Sequence, residues 1–104
     1  MAGYWIARSH ILDPRRYGAY MEAASLAGKN APVQSEILAR GGKYQILEGC
    51  EDFERHVLPR FPRFDDATRF YHSADYQAAA ALRWNGGGRN ELVVVQGVGG
   101  ETDE

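Results

Sequence analysis

Cysteine is nearly absent from this chain of 104 residues, in which Cys50 is the only one. A single cysteine excludes an intramolecular disulfide and favours a reduced, cytoplasmic protein over a secreted one. The following Glu51 and Asp52 disfavour the thiolate form, because negative neighbours oppose a further negative charge. We therefore do not expect Cys50 to act as a nucleophile.

Long apolar runs are also missing. No stretch approaches the roughly 20 apolar residues of a membrane-spanning helix, and the chain does not open with the basic and apolar regions of a signal peptide. Neither sign of charge dominates, since 12 Lys and Arg residues face 14 Asp and Glu residues. The balance gives no general attraction to nucleic acid or to an anionic membrane, and we predict neither partner.

Recognisable metal and phosphate motifs do not occur. The chain has neither His-x-x-x-His nor Cys-x-x-Cys, and its three histidines, His10, His56 and His72, lack a metal-ligand spacing. Gly86-Gly87-Gly88 has no lysine beside it and leads into a predicted strand, whereas a phosphate-binding loop leads into a helix. We predict no metal and no cofactor.

The first half of the chain alternates strand and helix patterns. Residues 4–11 are typical of a strand, and Asp13-Pro14 predicts a helix over residues 14–27 that ends before Gly28. Residues 36–48 fit one long strand with a bulge at Gly41-Gly42. The alternative is a short helix over residues 32–40 that Gly41 would end.

The second half repeats the alternation. The pattern predicts a strand over residues 55–61, a helix from Phe64, a second helix over residues 74–83 capped by Ser73, a glycine-rich loop over residues 85–90 and a strand over residues 91–96. Pro59 argues for an edge position of its strand or for an early end. The order β-α-β-β-α-β predicts an α+β, ferredoxin-like sandwich with an antiparallel four-stranded sheet. It occupies a single domain of residues 1–98, followed by a flexible acidic tail at residues 99–104.

Two predicted strands are apolar on both faces. Tyr4 and Ile6 lie on one face of the first strand and Trp5 on the other, while residues 92–95 are all apolar. Because two helices can cover only one face of such a sheet, we predict a homodimer in which a second copy covers the other. The alternative is an apolar face that stays solvated.

A series of different short motifs extends along the chain from Met1 to about Val98. They are Tyr4-Trp5-Ile6-Ala7-Arg8 followed by Asp13-Pro14 and Tyr17; Arg40-Gly41-Gly42 followed by Leu47-Glu48-Gly49; Phe61-Pro62; Tyr71 with Ser73, Tyr76-Gln77 and Leu82-Arg83; and Leu92-Val93-Val94-Val95. In this order and spacing they resemble the family catalogued as domain of unknown function 1330. The resemblance implies a ferredoxin-like fold of the dimeric α/β-barrel superfamily. It implies no activity.

The sequence departs from the family pattern at three places. Val33-Gln34-Ser35-Glu36 stands where the family usually has a Gly-Gly pair, so the connection after the first helix is expected to differ. Arg60 replaces a frequent acidic residue, and His10 replaces a carboxylate or another polar residue. Roles assumed for acids at these two positions do not carry over.

Five residues are candidates for a site. His10, near the end of a strand and facing the helices, could be a general base, or a partly exposed histidine bonded to solvent. Arg40 and Arg83 could clamp an anion, although a cation at a helix C-terminus, as at Arg83, needs no ligand. Tyr71 and Tyr76 could line a ligand pocket or pack beneath the helices.

Two functional hypotheses follow. The dimeric α/β-barrel superfamily includes isomerases, decarboxylases and monooxygenases, so the resemblance allows a cofactor-free enzyme that acts on a small carbonyl or carboxylate compound between sheet and helices. Fold analogy alone is a weak argument for activity. The alternative is a non-catalytic dimer that binds a small-molecule ligand or regulates a partner.

Overall fold

The computed structural model describes residues 1–49 and 51–98. Within them the chain follows the order β1 (Gly3–Ile11), α1 (Pro14–Asn30), β2 (Glu36–Arg40), β3 (Arg55–Phe61), α2 (Phe64–His72), α3 (Ala74–Trp84) and β4 (Gly88–Gln96). The strands form an antiparallel sheet in the order β2-β3-β1-β4. The ferredoxin-like order is confirmed, with its second helical connection divided into α2 and α3. Cys50 and the predicted tail at residues 99–104 lie outside the described residues.

Two predicted helix caps are confirmed. The Asp13 carboxylate accepts hydrogen bonds from the backbone N–H groups of Arg15 (3.0 Å) and Arg16 (3.3 Å) at the start of α1. The Ser73 hydroxyl accepts from the Tyr76 N–H at 3.2 Å and donates to the Phe70 carbonyl at 2.7 Å. One side chain therefore ends α2 and begins α3.

The first helix is longer than predicted. It does not end at Ala27 but continues through Gly28 to Asn30, because a single glycine costs a helix only about 1 kcal/mol. Pro32 sets the actual end, since the residue before a proline disfavours helical geometry and Ala31 is extended, with φ −68° and ψ 145°. In the described part of the chain no helix is long and apolar enough to cross a membrane.

The predicted long strand over residues 36–48 is only half correct. The strand β2 stops at Arg40, because Gly41 has φ +62°, a left-handed conformation that turns the chain out of the sheet. The register shift that was expected at the glycines lies between Ile37 and Ala39 instead. The alternative helix ending at Gly41 does not form either.

The position of Pro59 was predicted wrongly. The strand β3 lies inside the sheet, between β2 and β1, and is neither an edge strand nor shortened. The sheet accommodates the proline because the pairing between β1 and β3 is interrupted beside it. Tyr4 pairs with Arg60, and the next pair is Ala7 with Val57. The missing N–H of the proline falls within this gap.

The last strand begins earlier than predicted, at Gly88 instead of Glu91. Gly88 pairs with Ile11 on β1. A Cβ atom at Gly88 would lie only 2.8 Å from the backbone oxygen of His10, so the strand can approach β1 this closely only with glycine. The predicted flexible loop is therefore partly a paired strand.

Aromatic residues form the core between the sheet and the helices. Trp5 is 5% exposed, and its indole N–H donates to the Ala67 carbonyl at 3.0 Å. Four rings surround it with centroid distances of 5.0–6.2 Å, those of Phe61, Phe70, Tyr71 and Tyr76. Trp5 thus joins β1 to the helical layer.

The opposite side of the sheet carries apolar residues as well. We call this side, which bears Tyr4, Ile6, Val93 and Val95, the outer face. Ile6 and Val93 are neighbours across β1 and β4 and are 49% and 55% exposed. The prediction that both sides of the sheet are apolar is confirmed.

Candidate functional site

A cavity of about 280 Å³ lies between α1 and the sheet, and we call it the α1 cavity. It exists because α1 packs mainly against α3, which leaves the inner side of β2 and β3 partly uncovered. Apolar side chains form most of its wall, among them Met21, Ala24, Ile37, Pro59 and Phe70. Its size is at the lower end for small-molecule sites.

Strand register arranges the floor of the α1 cavity in rows. One row runs from Arg40 on β2 through Val57 and Ala7 to Leu92 on β4. The adjacent row runs from Arg55 on β3 through Ser9 to Asn90 on β4. All seven residues line the cavity, so its floor has a largely apolar row beside a polar one, with an arginine at the same end of each.

The polar row continues into hydrogen bonds with the helices. The Tyr17 hydroxyl donates to Ser9 Oγ at 2.7 Å. In the orientation of the Asn90 amide that gives both its polar atoms a partner, Nδ2 donates to the Arg89 carbonyl at 3.2 Å. In the same orientation Oδ1 accepts from Ser9 Oγ at 2.6 Å and from Arg83 Nε at 3.3 Å. The hydrogen-bond network therefore extends from the cavity floor to the guanidinium group of Arg83 on α3.

Arg83 is a buried cation, only 3% exposed. Its Nη2 donates to the Tyr76 hydroxyl at 3.3 Å, and that hydroxyl lies 2.8 Å from the hydroxyl of Tyr20. Among residues 1–49 and 51–98 no carboxylate forms an ion pair with Arg83. Its hydrogen-bond partners are neutral instead: the Tyr76 hydroxyl and the Asn90 amide oxygen.

Burial sets the protonation of this cluster. Desolvation, followed by the neighbouring Tyr20, raises the pKa of Tyr76 despite the opposing charge of Arg83. Desolvation lowers the pKa of Arg83, but the two phenols raise it by more, and its pKa is raised overall. At neutral pH Arg83 is therefore a guanidinium cation and Tyr76 a neutral phenol.

The structure does not bring the five predicted residues into one place. Arg40 and Tyr76 line the α1 cavity. Tyr71 and Arg83 line a second cavity of about 440 Å³ between α2, α3 and β4, which opens at the edge of the sheet. Arg83 reaches residues of the α1 cavity through hydrogen bonds to Tyr76 and Asn90 and by stacking on the Tyr20 ring at 4.9 Å.

The orientation of His10 was predicted wrongly. Ser9 faces the helices, so the alternation along β1 places His10 on the outer face, and His10 lines neither of the two cavities described. Its Nδ1 lies 3.0 Å from Glu54 Oε1. Glu54 Oε2 accepts from the Ile11 N–H at 2.8 Å. A role as general base stays a prediction, and it would concern a different surface from the α1 cavity.

The Glu54 contact predicts a pH dependence of stability. The hydrogen bond from the Ile11 N–H is the largest cause that lowers the pKa of Glu54 below its ordinary 4.5; desolvation opposes it and His10 adds to it. A lowered pKa contributes stability that is present above 4.5 and lost as pH falls through the folded-state pKa. We expect the free energy of unfolding to fall less steeply between about pH 5 and pH 3 in Glu54→Gln than in wild type.

The matched control is Glu22→Gln, because Glu22 is exposed on α1 and the substitution removes the same charge. Urea unfolding at each pH measures the slope. Equal slopes in Glu54→Gln and wild type would contradict the assignment.

Sequence reasoning missed most of the lining of the α1 cavity, including Ser9, Tyr20, Arg55 and Asn90. Ser9 and Asn90 carried a usable signal, since each is a polar residue at the inward parity of an otherwise apolar strand face. Tyr20 was visible only as part of the apolar stripe of α1. Arg55 carried the same signal on β3, where Val57 and Phe61 share its parity and also line the cavity. In the described part of the chain no group of three or more His, Cys, Asp or Glu side chains could hold a metal ion.

The fold is similar to several solved structures. A protein of unknown function from Rhodopseudomonas palustris is 12% identical, with a TM-score of 0.70, and the match covers 95% of this chain and 84% of that one. A dimeric ferredoxin-like protein of unknown function from Jannaschia sp. CCS1 is 13% identical, with a TM-score of 0.70 and coverage of 92% and 99%. SnoaB, a cofactor-independent oxygenase from Streptomyces nogalater, is 9% identical, with a TM-score of 0.65 and coverage of 98% of each chain. At these identities the likeness shows the ferredoxin-like fold.

The sequence itself points to a family. No curated protein matches it. The model of the family described as domain of unknown function (DUF1330) matches residues 2–98, which confirms the resemblance seen in the short motifs. The chain therefore belongs to the DUF1330 family.

Proposed function

We propose that this protein is a homodimer whose protomers each bind a small carbonyl or carboxylate compound in the α1 cavity and polarise its oxygen without a cofactor. The observation that carries the proposal is the buried Arg83, which has no carboxylate partner in the described residues and donates to Tyr76. We place the cavity in a single domain of residues 1–98. A cytoplasmic location is part of the proposal and is supported by the single cysteine.

The direction of the hydrogen bonds gives the cluster its chemistry. A guanidinium can only donate, so Tyr76 accepts from Arg83 and its own proton is free to be donated to Tyr20, 2.8 Å away. The Tyr20 proton then remains for a ligand oxygen in the cavity. Successive donors polarise one another, so Tyr20 becomes a stronger donor than an isolated phenol. A carbonyl that accepts this bond gains stabilisation of negative charge on its oxygen, which favours enolisation.

A non-catalytic alternative rests on a specific observation. The described side chains that line the α1 cavity include no carboxylate and no histidine. An enzyme of this kind would lack the two commonest general bases in its cavity, whereas a binding protein needs no base. The name of SnoaB as a cofactor-independent oxygenase supports the catalytic version only by analogy of fold.

The dimer is supported by the exposed apolar outer face. Ile6 and Val93 lie there side by side, and the solved relative from Jannaschia is described as dimeric. Nucleic acid is not the partner we propose for this face, because its arginines are paired: Arg8 with Glu91 at 2.6 Å and Arg89 with Asp52 at 2.9 Å.

The test of the proposal is the binding of an aryl ketone, para-methylacetophenone, to Arg83→Met. Methionine keeps much of the length of the side chain but cannot donate to Tyr76. We expect the dissociation constant to rise several-fold, because without the cation Tyr76 and Tyr20 are less polarised and Tyr20 is a weaker donor to the ketone. The free energy of unfolding should fall by at most about 1–3 kcal/mol, because the Tyr76 hydroxyl and the Asn90 oxygen each lose one donor but keep their bonds to Tyr20 and Ser9.

Arg69→Met is the control, since the Arg69 side chain is 77% exposed on α2 and should leave binding unchanged. Calorimetric titration measures affinity, and exchange of the ketone's methyl protons in deuterated water measures enolisation. Wild-type affinity in Arg83→Met, or no binding to wild type, would refute the proposal. Binding without accelerated exchange would establish the non-catalytic alternative.

A further inference from the structure

Two guanidinium groups at one end of the α1 cavity lack a counter-ion. Arg40 and Arg55 line the cavity, and across residues 1–49 and 51–98 neither forms an ion pair with a carboxylate. By contrast, Arg8 and Arg89 on the outer face are both paired. Two like charges held beside each other repel, and an anion bound between them removes the repulsion.

The turn after β2 holds one of these groups in place. Gly41 has φ +62°, and its N–H donates to the His56 carbonyl at 2.8 Å. A Cβ atom at Gly41 would overlap Nη1 of Arg55, so the absence of a side chain makes room for the guanidinium. The glycine that ends β2 thus also positions Arg55 at the cavity.

The opposite end of the cavity carries the phenols. The row from Arg40 to Leu92 crosses three strand spacings, or about 14 Å between backbones. The residues between them in this row, Val57 and Ala7, are apolar. The α1 cavity therefore has an anion-binding end, an apolar middle and a hydrogen-bonding end at Tyr20 and Tyr76.

We propose that the ligand is an oxo acid, with its carboxylate bound by Arg40 and Arg55, a small apolar body over Val57 and Ala7, and its carbonyl oxygen at Tyr20. This inference rests on the proposed function and adds to it the substrate class and Arg55 as a binding residue. The oxo-acid inference requires a carboxylate and a carbonyl on the same molecule, whereas the proposed function requires only one of these groups.

The experiment compares three rigid probes by calorimetric titration. The probe para-acetylbenzoate has both groups, para-isopropylbenzoate has only the carboxylate, and para-methylacetophenone has only the carbonyl. We expect wild type to bind para-acetylbenzoate at least about tenfold more tightly than either of the others. Arg40→Gln and Arg55→Gln should each weaken both benzoates at least about tenfold and leave para-methylacetophenone unchanged.

Arg15→Gln is the control for charge, because Arg15 is exposed at the start of α1 and does not line the cavity. It should bind all three probes as wild type does. If Arg40→Gln and Arg55→Gln bind para-acetylbenzoate normally while Arg83→Met weakens binding of the ketone as expected, the oxo-acid inference is wrong and the proposed function stands. If the ketone does not bind wild type, both are wrong.

Discussion

Replacing Trp5 with alanine is expected to remove about 3–5 kcal/mol from the free energy of unfolding, the usual cost of truncating a buried tryptophan. Trp5 is 5% exposed and contacts four aromatic rings from β3, α2 and α3. The substitution also removes the donor to the Ala67 carbonyl, leaving that buried oxygen unsatisfied. Since domains of this size are typically stable by only about 5–15 kcal/mol, a large share of the stability should be lost.

The control is Trp84→Ala, because Trp84 is 54% exposed at the end of α3. We expect this second tryptophan to contribute about 1 kcal/mol or less. Urea unfolding, followed by far-ultraviolet circular dichroism, compares the two variants with wild type. Similar losses for both variants would show that Trp5 is not the centre of the core.

Replacing Val93 with aspartate is expected to convert the proposed dimer into a folded monomer. Val93 is 55% exposed on the outer face and lies beside Ile6. A dimer over this face would bury two new carboxylates, one from each copy, and each unpaired buried charge costs several kcal/mol. We expect the dissociation constant of the dimer to rise at least about a thousandfold.

Light scattering after gel filtration at micromolar concentration measures the mass. Leu26→Asp is the control, because Leu26 is an equally apolar residue, 59% exposed, but lies on α1 away from the outer face. It should remain a dimer. A wild-type monomer, or a Val93→Asp variant that stays dimeric and folded, would refute the proposed interface.

Much of the fold could be predicted because local signals agreed with the final packing. Asp13, Ser73 and the bounds of β3 were correct, since caps and strand patterns act through neighbouring residues. The errors lie where distant contacts decide the outcome. Pro59 sits in an interior strand because the β1–β3 ladder is interrupted there, and β4 starts at Gly88 because His10 leaves no room for a side chain.

The site was less predictable than the fold. Arg40, Tyr76, Tyr71 and Arg83 all line cavities, but their division between two cavities depends on how α1 and α3 pack, which no local pattern reports. His10 was placed on the wrong side although its parity with Ile6 was visible in the sequence. Its partner Glu54 lies 44 residues away in the chain, beyond the reach of any spacing argument.

Because the α1 cavity is a gap between α1 and the inner side of β2 and β3, a ligand bound in it would raise the stability of the folded protein. A molecule that fills this gap supplies interior contacts that the polypeptide does not make with itself, and binding of this kind stabilises the native state by RT ln(1 + [L]/Kd). At a concentration a hundred times Kd the gain is about 2.7 kcal/mol. Resistance to heat and to proteolysis would then rise and fall with the supply of that molecule, and the lifetime of the chain would report its abundance.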